Sequence, residues 1–270
     1  MYKIVAKEQL SENVFKFIVE APLIAKSHKP GNFIILRISE KGERIPLTIV
    51  DTDKEKGTIM LIAQKVGYSS TKFCEMKVGE CLTDLVGPLG KPTTIKKVGT
   101  FLALGGGVGN APLLPIVKGF KEAGNKVITV LAARTKSLII LEDELRKYSD
   151  EVIIMTDDGS YGNKGNVTVG AEMVMKREKV DECIAIGPAI MMKFAALKTK
   201  EYNVPTQCSL NTIMVDGTGM CGACRVTVGG KTKFTCVDGP EFDAHQIDFD
   251  EMLSRLRCYK AEEDEAKAKL

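Results

Sequence analysis

Phe101-Leu102-Ala103-Leu104-Gly105-Gly106-Gly107-Val108-Gly109-Asn110-Ala111-Pro112 is the stretch whose reading decides the fold. The first four residues are an apolar run of the kind that makes a buried strand. The glycines after it permit positive φ and let a ligand come close to the backbone. A helical pattern then runs from Leu113 to Ala123, and Gly124 stands where a C-cap is expected. Pro112 suits the first helical turn, where a missing N–H costs nothing. Such a helix start favours a phosphate, although an ordinary tight strand-to-helix turn would read the same way. The spacing is not G-x-G-x-x-G, and no Lys-Ser/Thr pair follows, which argues against a nucleoside triphosphatase.

Downstream the rhythm repeats. Strands are predicted over Lys126–Ala133, Glu151–Thr156 and Cys183–Ile186, and helices over Leu141–Tyr148, Val167–Lys176 and Ala189–Lys200. Alternating β and α segments argue for a parallel sheet with helices on both faces. Ligands of such sheets bind beyond the C-terminal strand ends. Two more loops are predicted at that edge, Asp157-Asp158-Gly159-Ser160 and Gly187-Pro188 with Met191 and Met192 behind it. Together the three loops point to a nucleotide site. Singly, the aspartates read as turn formers and the methionines as core. Arg134, after the second strand, reads equally as a partner for a 2′-phosphate or as half of a surface ion pair.

Upstream, residues 1 to 96 carry short β-like runs: Val14–Glu20, Phe33–Ile38, Ile45–Val50 and Thr58–Val66. Turn signals at Pro30-Gly31-Asn32, Lys41-Gly42, Lys56-Gly57 and Gly87-Pro88 separate them, which predicts a small antiparallel barrel. Arg44-Ile45-Pro46-Leu47-Thr48 puts a cation and a hydroxyl on one strand. Gly67-Tyr68-Ser69-Ser70-Thr71 offers three Ser/Thr hydroxyls at a helix start, a small anion nest. Without context both are simply a strand end and a capped helix.

The chain has 270 residues, 44% hydrophobic and 27% charged, and Lys+Arg 38 against Asp+Glu 35 leaves a formal net charge of +3. That balance gives no electrostatic reason for a nucleic-acid or membrane-surface partner. Charges interrupt the N-terminal segment, and no stretch reaches the roughly 20 apolar residues of a membrane span. A cytoplasmic protein is expected, where disulfides are rare. There are 8 Cys and 2 His, so a metal here would be held mainly by sulfur or oxygen.

Cys221, Cys224 and Cys236 are grouped, and the other five cysteines are scattered as buried thiols. A hairpin turned at Gly229-Gly230 would bring Cys236 back to the first two. Counting back from Cys221 gives D-x4-C-x2-C-x11-C, with Asp216 at the first position of the plant-type C-x4-C-x2-C…C spacing. That favours an iron–sulfur loop. A structural zinc site built on Cys208 with the three cysteines, a C-x-x-C redox pair, and a turn role for Asp216 all stay open. Residues 249–257 read as a helix and the charged 260–270 as a frayed end.

Barrel, nucleotide-binding α/β unit and iron–sulfur loop, in that order, resemble the ferredoxin-reductase-like flavoproteins. The resemblance rests on RIPLT at 44–48, VGYSST at 66–71, GGGVGNAPLLPI at 105–116, TDDGSYGNKG at 156–165, GPAIMMK at 187–193 and VDGTGMCGACRV at 215–226. It is close to the electron-transfer subunit of dihydroorotate dehydrogenase. It is closer still to the small subunits of NADH-dependent ferredoxin:NADP oxidoreductase and of sulfide dehydrogenase.

The resemblance implies three parts: an FAD-binding barrel over 1–98, an NAD(H)-binding α/β domain over 99–205, and a [2Fe–2S] region over 206–270. It implies Thr48 beside flavin N5 as the one catalytic candidate, with Arg44, Pro46 and Leu47 around the same cofactor and Gly67, Ser69, Ser70 and Thr71 at its phosphates. Gly105, Gly106, Gly107, Val108, Gly109 and Asn110, with Asp157, Asp158, Gly159, Ser160, Gly187, Pro188 and Met191, would line the nicotinamide nucleotide. Asp216, Cys221, Cys224 and Cys236 would hold the cluster. A hydride would pass from NADH to FAD, and single electrons to the cluster and on to a larger flavin/iron–sulfur subunit of a heterodimer, with electron bifurcation implied by the family alone.

Two departures matter. Arg44 lies four residues before Thr48 where the flavin motif usually spaces them by three. Asp216 stands where the dihydroorotate type has Cys, as in the ferredoxin:NADP oxidoreductase type. The non-redox alternative is a zinc-stabilised nucleotide-binding module.

Overall fold

The computed structural model describes residues 2–270. Its first part runs β1 (Tyr2–Ser11), β2 (Val14–Glu20), α1 (Pro22–Ser27), β3 (Phe33–Arg37), β4 (Ile45–Asp53), β5 (Thr58–Gln64), α2 (Tyr68–Glu75), β6 (Cys81–Leu82) and β7 (Asp84–Leu89). These seven strands form one antiparallel sheet in the order β6-β1-β2-β5-β4-β3-β7. The edge strands β6 and β7 are separated by Thr83 alone, so the sheet curls into a nearly closed barrel.

Alternation dictates which side chains fill it. Ile34 and Leu36 of β3 point inward with Phe17, Ile49 and Leu61, while Phe33 and Ile35 point out. The sequence signal missed β1. Its pairing with β2 shifts register between Ile4 and Ala6 and again between Gln9 and Ser11, and bulges of this kind scramble a two-residue period.

The second part contains β8 (Thr100–Gly106), α3 (Asn110–Glu122), β9 (Lys126–Ala133), α4 (Glu142–Tyr148), β10 (Glu151–Thr156), β11 (Asn163–Lys164), α5 (Val167–Arg177), β12 (Glu182–Ile186), α6 (Ala189–Glu201) and β13 (Thr206–Ser209). The chain closes with the hairpin β14 (Arg225–Val228) and β15 (Lys231–Phe234), then α7 (Thr235–Asp238), β16 (Glu241–Asp243), α8 (Phe249–Arg255) and α9 (Lys260–Lys267). The second sheet is ordered β11-β10-β9-β8-β12-β13-β16 and is parallel except for β16. Segment 206–270 therefore lends this sheet two strands, β13 and β16, and sends out the loop and hairpin between them.

Barrel and sheet share a core. Val14, Val50 and Ile62 of the barrel pack with Phe101, Leu113, Val117 and Phe120, and the rings of Phe101 and Phe120 stack 3.6 Å apart. That shared apolar surface seats the barrel on α3. The charged C-terminal stretch forms α9 instead of fraying. Lys260 pairs with Asp264 and Lys269 with Glu265 at helical (i, i+4) spacing, and the alanines between them carry high helix propensity.

Candidate functional site

On the barrel, Thr48 of β4 lies opposite Phe33 of β3, and Pro46 opposite Ile35. Thr48, Pro46, Phe33 and Ile35 thus share the outer face, while Leu47 and Ile45 pack toward the barrel interior. Gly67 begins α2 with nothing within 4 Å of where a Cβ would stand, so this helix start opens on free space. The hydroxyls there are partly engaged. Ser70 Oγ accepts from the N–H groups of Val66 and Gly67 at 3.1 and 3.0 Å, and Ser69 donates to Glu43. Thr71 N–H donates to Gly67 O at 3.1 Å. The hydroxyls of Ser69 and Ser70 are thus engaged within the protein, while the helix start is open. Arg44, next to Glu43, donates from Nε at 2.8 Å to the Val215 carbonyl of the cysteine loop.

At the second sheet, Gly105 and Gly106 end β8, Gly107 turns at φ +58, and α3 starts at Asn110. Asn110 is fully buried, and neither atom of its side-chain amide has a hydrogen-bond partner. A buried orphan amide is expensive, and it marks a place built to meet another polar group. Val108 and Gly109 complete the turn. A Cβ on Gly109 would come 2.4 Å from Ile186 O and 2.7 Å from Gly187 Cα. This is backbone against backbone, with no flexible group to give way. Gly109→Ala should push the α3 start away from the β12 turn and lower stability by about 1–3 kcal/mol, the scale of overpacking strain; urea unfolding checks it.

Met191 Sδ fills the space above Gly106 and Gly187, beside Pro188, and makes an apolar floor between β8 and β12. Asp158 accepts from Ser160 N at 3.0 Å, and that bond with the Ser160 hydroxyl holds its carboxyl below the usual range. Ser160 Oγ in turn accepts from Lys136 N at 2.9 Å, and Gly159 turns at φ +77. Asp157 is exposed beside them, its N–H bonded to Ala133 O. The three loops of the sequence reading do lie at the C-terminal ends of β8, β10 and β12, along one edge.

The cysteine loop sits on the outer face of the barrel. Cys224 and Cys236 are 2% and 3% exposed, their sulfurs 3.2 Å apart, and they pack with Phe33, Ile35, Leu89, Met214 and Phe234. Burial, then the Cys224 contact, pushes the Cys236 thiol up to about 12. Thr212 and Thr235 hydroxyls both donate to Cys224 O. Cys221 is exposed.

The Asp216 carboxylate is turned into its own loop. It accepts from Thr218 Oγ1 and N and from Met220 N at 2.8 to 3.1 Å, and Thr218 foremost holds it below the usual carboxylate range. Among the described residues no three His, Cys, Asp or Glu side chains converge as a metal cage. The structure therefore brings together Cys224 and Cys236, keeps Cys221 on the same loop, and leaves Asp216 in a turn. The paired, apolar-shielded thiols are a donor set suited to iron and sulfide. Cys208 lies apart, fully buried in the α/β core opposite Phe242, so the four-cysteine zinc arrangement is not assembled.

Sequence reasoning missed Arg255 of α8, whose Nη2 donates 3.1 Å to Ala223 O. No local spacing announces that contact, because helix and loop meet only through the fold.

Comparison with known proteins sets these observations in a family. The family described as the iron–sulfur cluster binding domain of dihydroorotate dehydrogenase B matches residues 211–248. A Thermotoga maritima protein, a homolog of the electron-transfer subunit of dihydroorotate dehydrogenase B (NAD(+)), is 50% identical over 97% of this chain and 92% of its own length. The chain belongs to this electron-transfer subunit family.

A Methanocaldococcus jannaschii relative, a probable electron-transfer subunit of the same enzyme, is 39% identical over 88% of this chain and 87% of its own. A solved chain of NADH-dependent reduced ferredoxin–NADP oxidoreductase, studied for flavin-based electron bifurcation, superposes with a TM-score of 0.95 at 48% identity, covering 100% of this chain and 97% of that one. Phthalate dioxygenase reductase shares the fold, with a TM-score of 0.63 at 16% identity over 84% and 85% of the two chains. Ferredoxin-reductase-like subunits of this family are oxidoreductase components that work with FAD, NAD(H) and a [2Fe–2S] cluster. Among the described residues no helix is long and apolar enough to cross a membrane.

Proposed function

We propose that this subunit accepts a hydride from NADH at FAD on the barrel and delivers single electrons through a [2Fe–2S] cluster to a larger flavin/iron–sulfur subunit, as part of an NADH-dependent ferredoxin:NADP oxidoreductase. The observation that carries the reading is the shared outer face of β3 and β4. Thr48 lies directly across from Phe33, and Phe33 packs on the group that contains Cys224 and Cys236. Flavin-side and cluster-side residues are thereby neighbours, with an apolar ring that keeps water from between them.

FAD supplies the switch between two-electron and one-electron chemistry, and the protein contributes binding, orientation and electrostatics. The chain's own parts have distinct tasks. The Thr48 hydroxyl offers one hydrogen bond on the flavin face. The open α2 start above Gly67, with the backbone of Ser69 to Thr71, holds the phosphates of FAD. The turn Gly105–Asn110, with Asp157 to Ser160, receives the pyridine nucleotide, and the Asn110 amide there gains the partner it lacks. Met191 and Pro188 keep the nucleotide edge dry. Cys221, Cys224 and Cys236 hold the cluster, and Asp216 becomes the fourth ligand on leaving its turn.

The 48% identity across the whole chain supports the ferredoxin:NADP type. Electron transfer for dihydroorotate oxidation is the second reading, supported by the names of relatives at 31%, 39% and 50% identity. A heterodimer and a cytoplasmic location go with either. Anaerobic purification tests the proposal: the protein should be yellow-brown, contain FAD and about two irons per chain, and bleach on addition of NADH. A colourless preparation with stoichiometric zinc and no iron would overturn it. The partner that co-purifies separates the two readings.

A further inference from the structure

Two arginines hold the two ends of the cysteine loop. Arg44 at the foot of β4 reaches across 171 residues of sequence to donate to Val215 O at 2.8 Å. Arg255 of α8 donates to Ala223 O at 3.1 Å. Between those carbonyls the backbone has little stiffness of its own, since Gly217, Gly219 and Gly222 sit at φ +84, +89 and +66. Where the loop meets the barrel there is no slack: a Cβ on Gly217 would stand 2.8 Å from both Ile35 Cδ1 and Leu89 Cδ1.

Arg44 stands just before β4, and its bond to Val215 O turns its side chain to the cluster-facing side of the barrel. Asp84 is 4.0 Å from its Nη1, but Asp84 is also held by Arg37. The Arg44 side chain is 29% exposed, so its charge is only partly screened.

We propose that Arg44 and Arg255 are positioning residues that clamp the cluster loop between the barrel and α8 and, as fixed cations at its two ends, favour the one-electron-reduced state of the group it holds. The inference rests on the reading that this loop carries a [2Fe–2S] cluster. Reduction adds one negative charge to the cluster, and the two guanidinium cations stabilise that added charge.

The test uses the holoprotein and its Arg44→Gln, Arg44→Lys and Arg255→Gln variants. Iron per chain, the cluster potential by EPR-monitored titration, and amide hydrogen exchange over residues 216–222 are measured for each. Each Gln variant should lower the reduction equilibrium constant at least about threefold, which is about 30 mV for one electron. Each should also speed exchange in the loop. Arg44→Lys, which keeps the charge but not the planar fork, should regain the potential. Gln variants with full iron and unchanged potential and exchange would overturn the inference, as would an Arg44→Lys potential no different from that of Arg44→Gln. Wild-type protein without iron would overturn the cluster reading itself, a separate and distinguishable result.

Discussion

Cys224→Ala and Cys236→Ala should each abolish the iron–sulfur absorption and EPR signal, with iron falling from about two per chain to near zero, while FAD stays bound. The two sulfurs are already 3.2 Å apart inside an apolar pocket, so either truncation removes a donor at the heart of the site. No neighbouring side chain stands ready to replace it, since Cys208 is sequestered in the α/β core. Flavin should survive because Thr48 and the α2 start belong to the barrel, whose core of Phe17, Ile34, Leu36 and Leu61 does not include the loop. Loss of the metal should also loosen residues 211–240, a segment too small to fold by itself, and proteolysis there should accelerate. Cys208→Ala is the control, and its iron content should equal that of the wild type. Metal analysis and EPR of the three purified variants decide the matter.

What the sequence disclosed and what it hid divide along physical lines. Strongly periodic elements such as Val14–Glu20, Lys126–Ala133 and Glu151–Thr156 lie where the pattern put them, because each buries one face or both in a core. The C-terminal stretch went the other way: its charges read as solvated fray, but at helical spacing they pair and keep α9 wound. The glycine run was legible because a turn crossing β12 admits no Cβ at Gly109. The contacts that join the parts were not legible. Arg44 donates to a backbone carbonyl 171 residues away, and backbone acceptors carry no sequence signature. Asp216 fits the ligand spacing and also bonds within its own turn, and spacing alone does not separate the two states.

Glu241→Gln should raise stability at pH 8 by up to about 3 kcal/mol and change it little near pH 4.5. Glu241 lies on β16 opposite Ser209, where the α/β sheet meets the barrel. It accepts from the Thr93 hydroxyl, and its Oε1 crowds the Gly31 turn, which would leave a Gly31 Cβ only 3.1 Å away. Burial is the main cause that lifts its carboxyl from 4.5 to about 7; the Thr93 bond opposes the shift, and the like charge of Glu182 adds to it.

The sign follows from proton counts. Between the two values the folded chain holds a proton that the unfolded chain has lost, so stability falls as pH rises. The contribution is fully present below pH 4.5 and gone once pH has risen through about 7. Gln keeps the shape and a hydrogen bond to Thr93 but carries no charge at any pH, so it removes this dependence. The difference between the two proteins cancels the opposite slope from carboxylates such as Asp150, which the Lys121 ammonium holds below its ordinary range. Urea unfolding of both at pH 5 and pH 8 measures the effect: the gap in midpoint should open toward high pH. A gap that stays constant, or closes as pH rises, would mean that Glu241 is charged throughout the folded state's working range and that the seam is wetter than its burial implies.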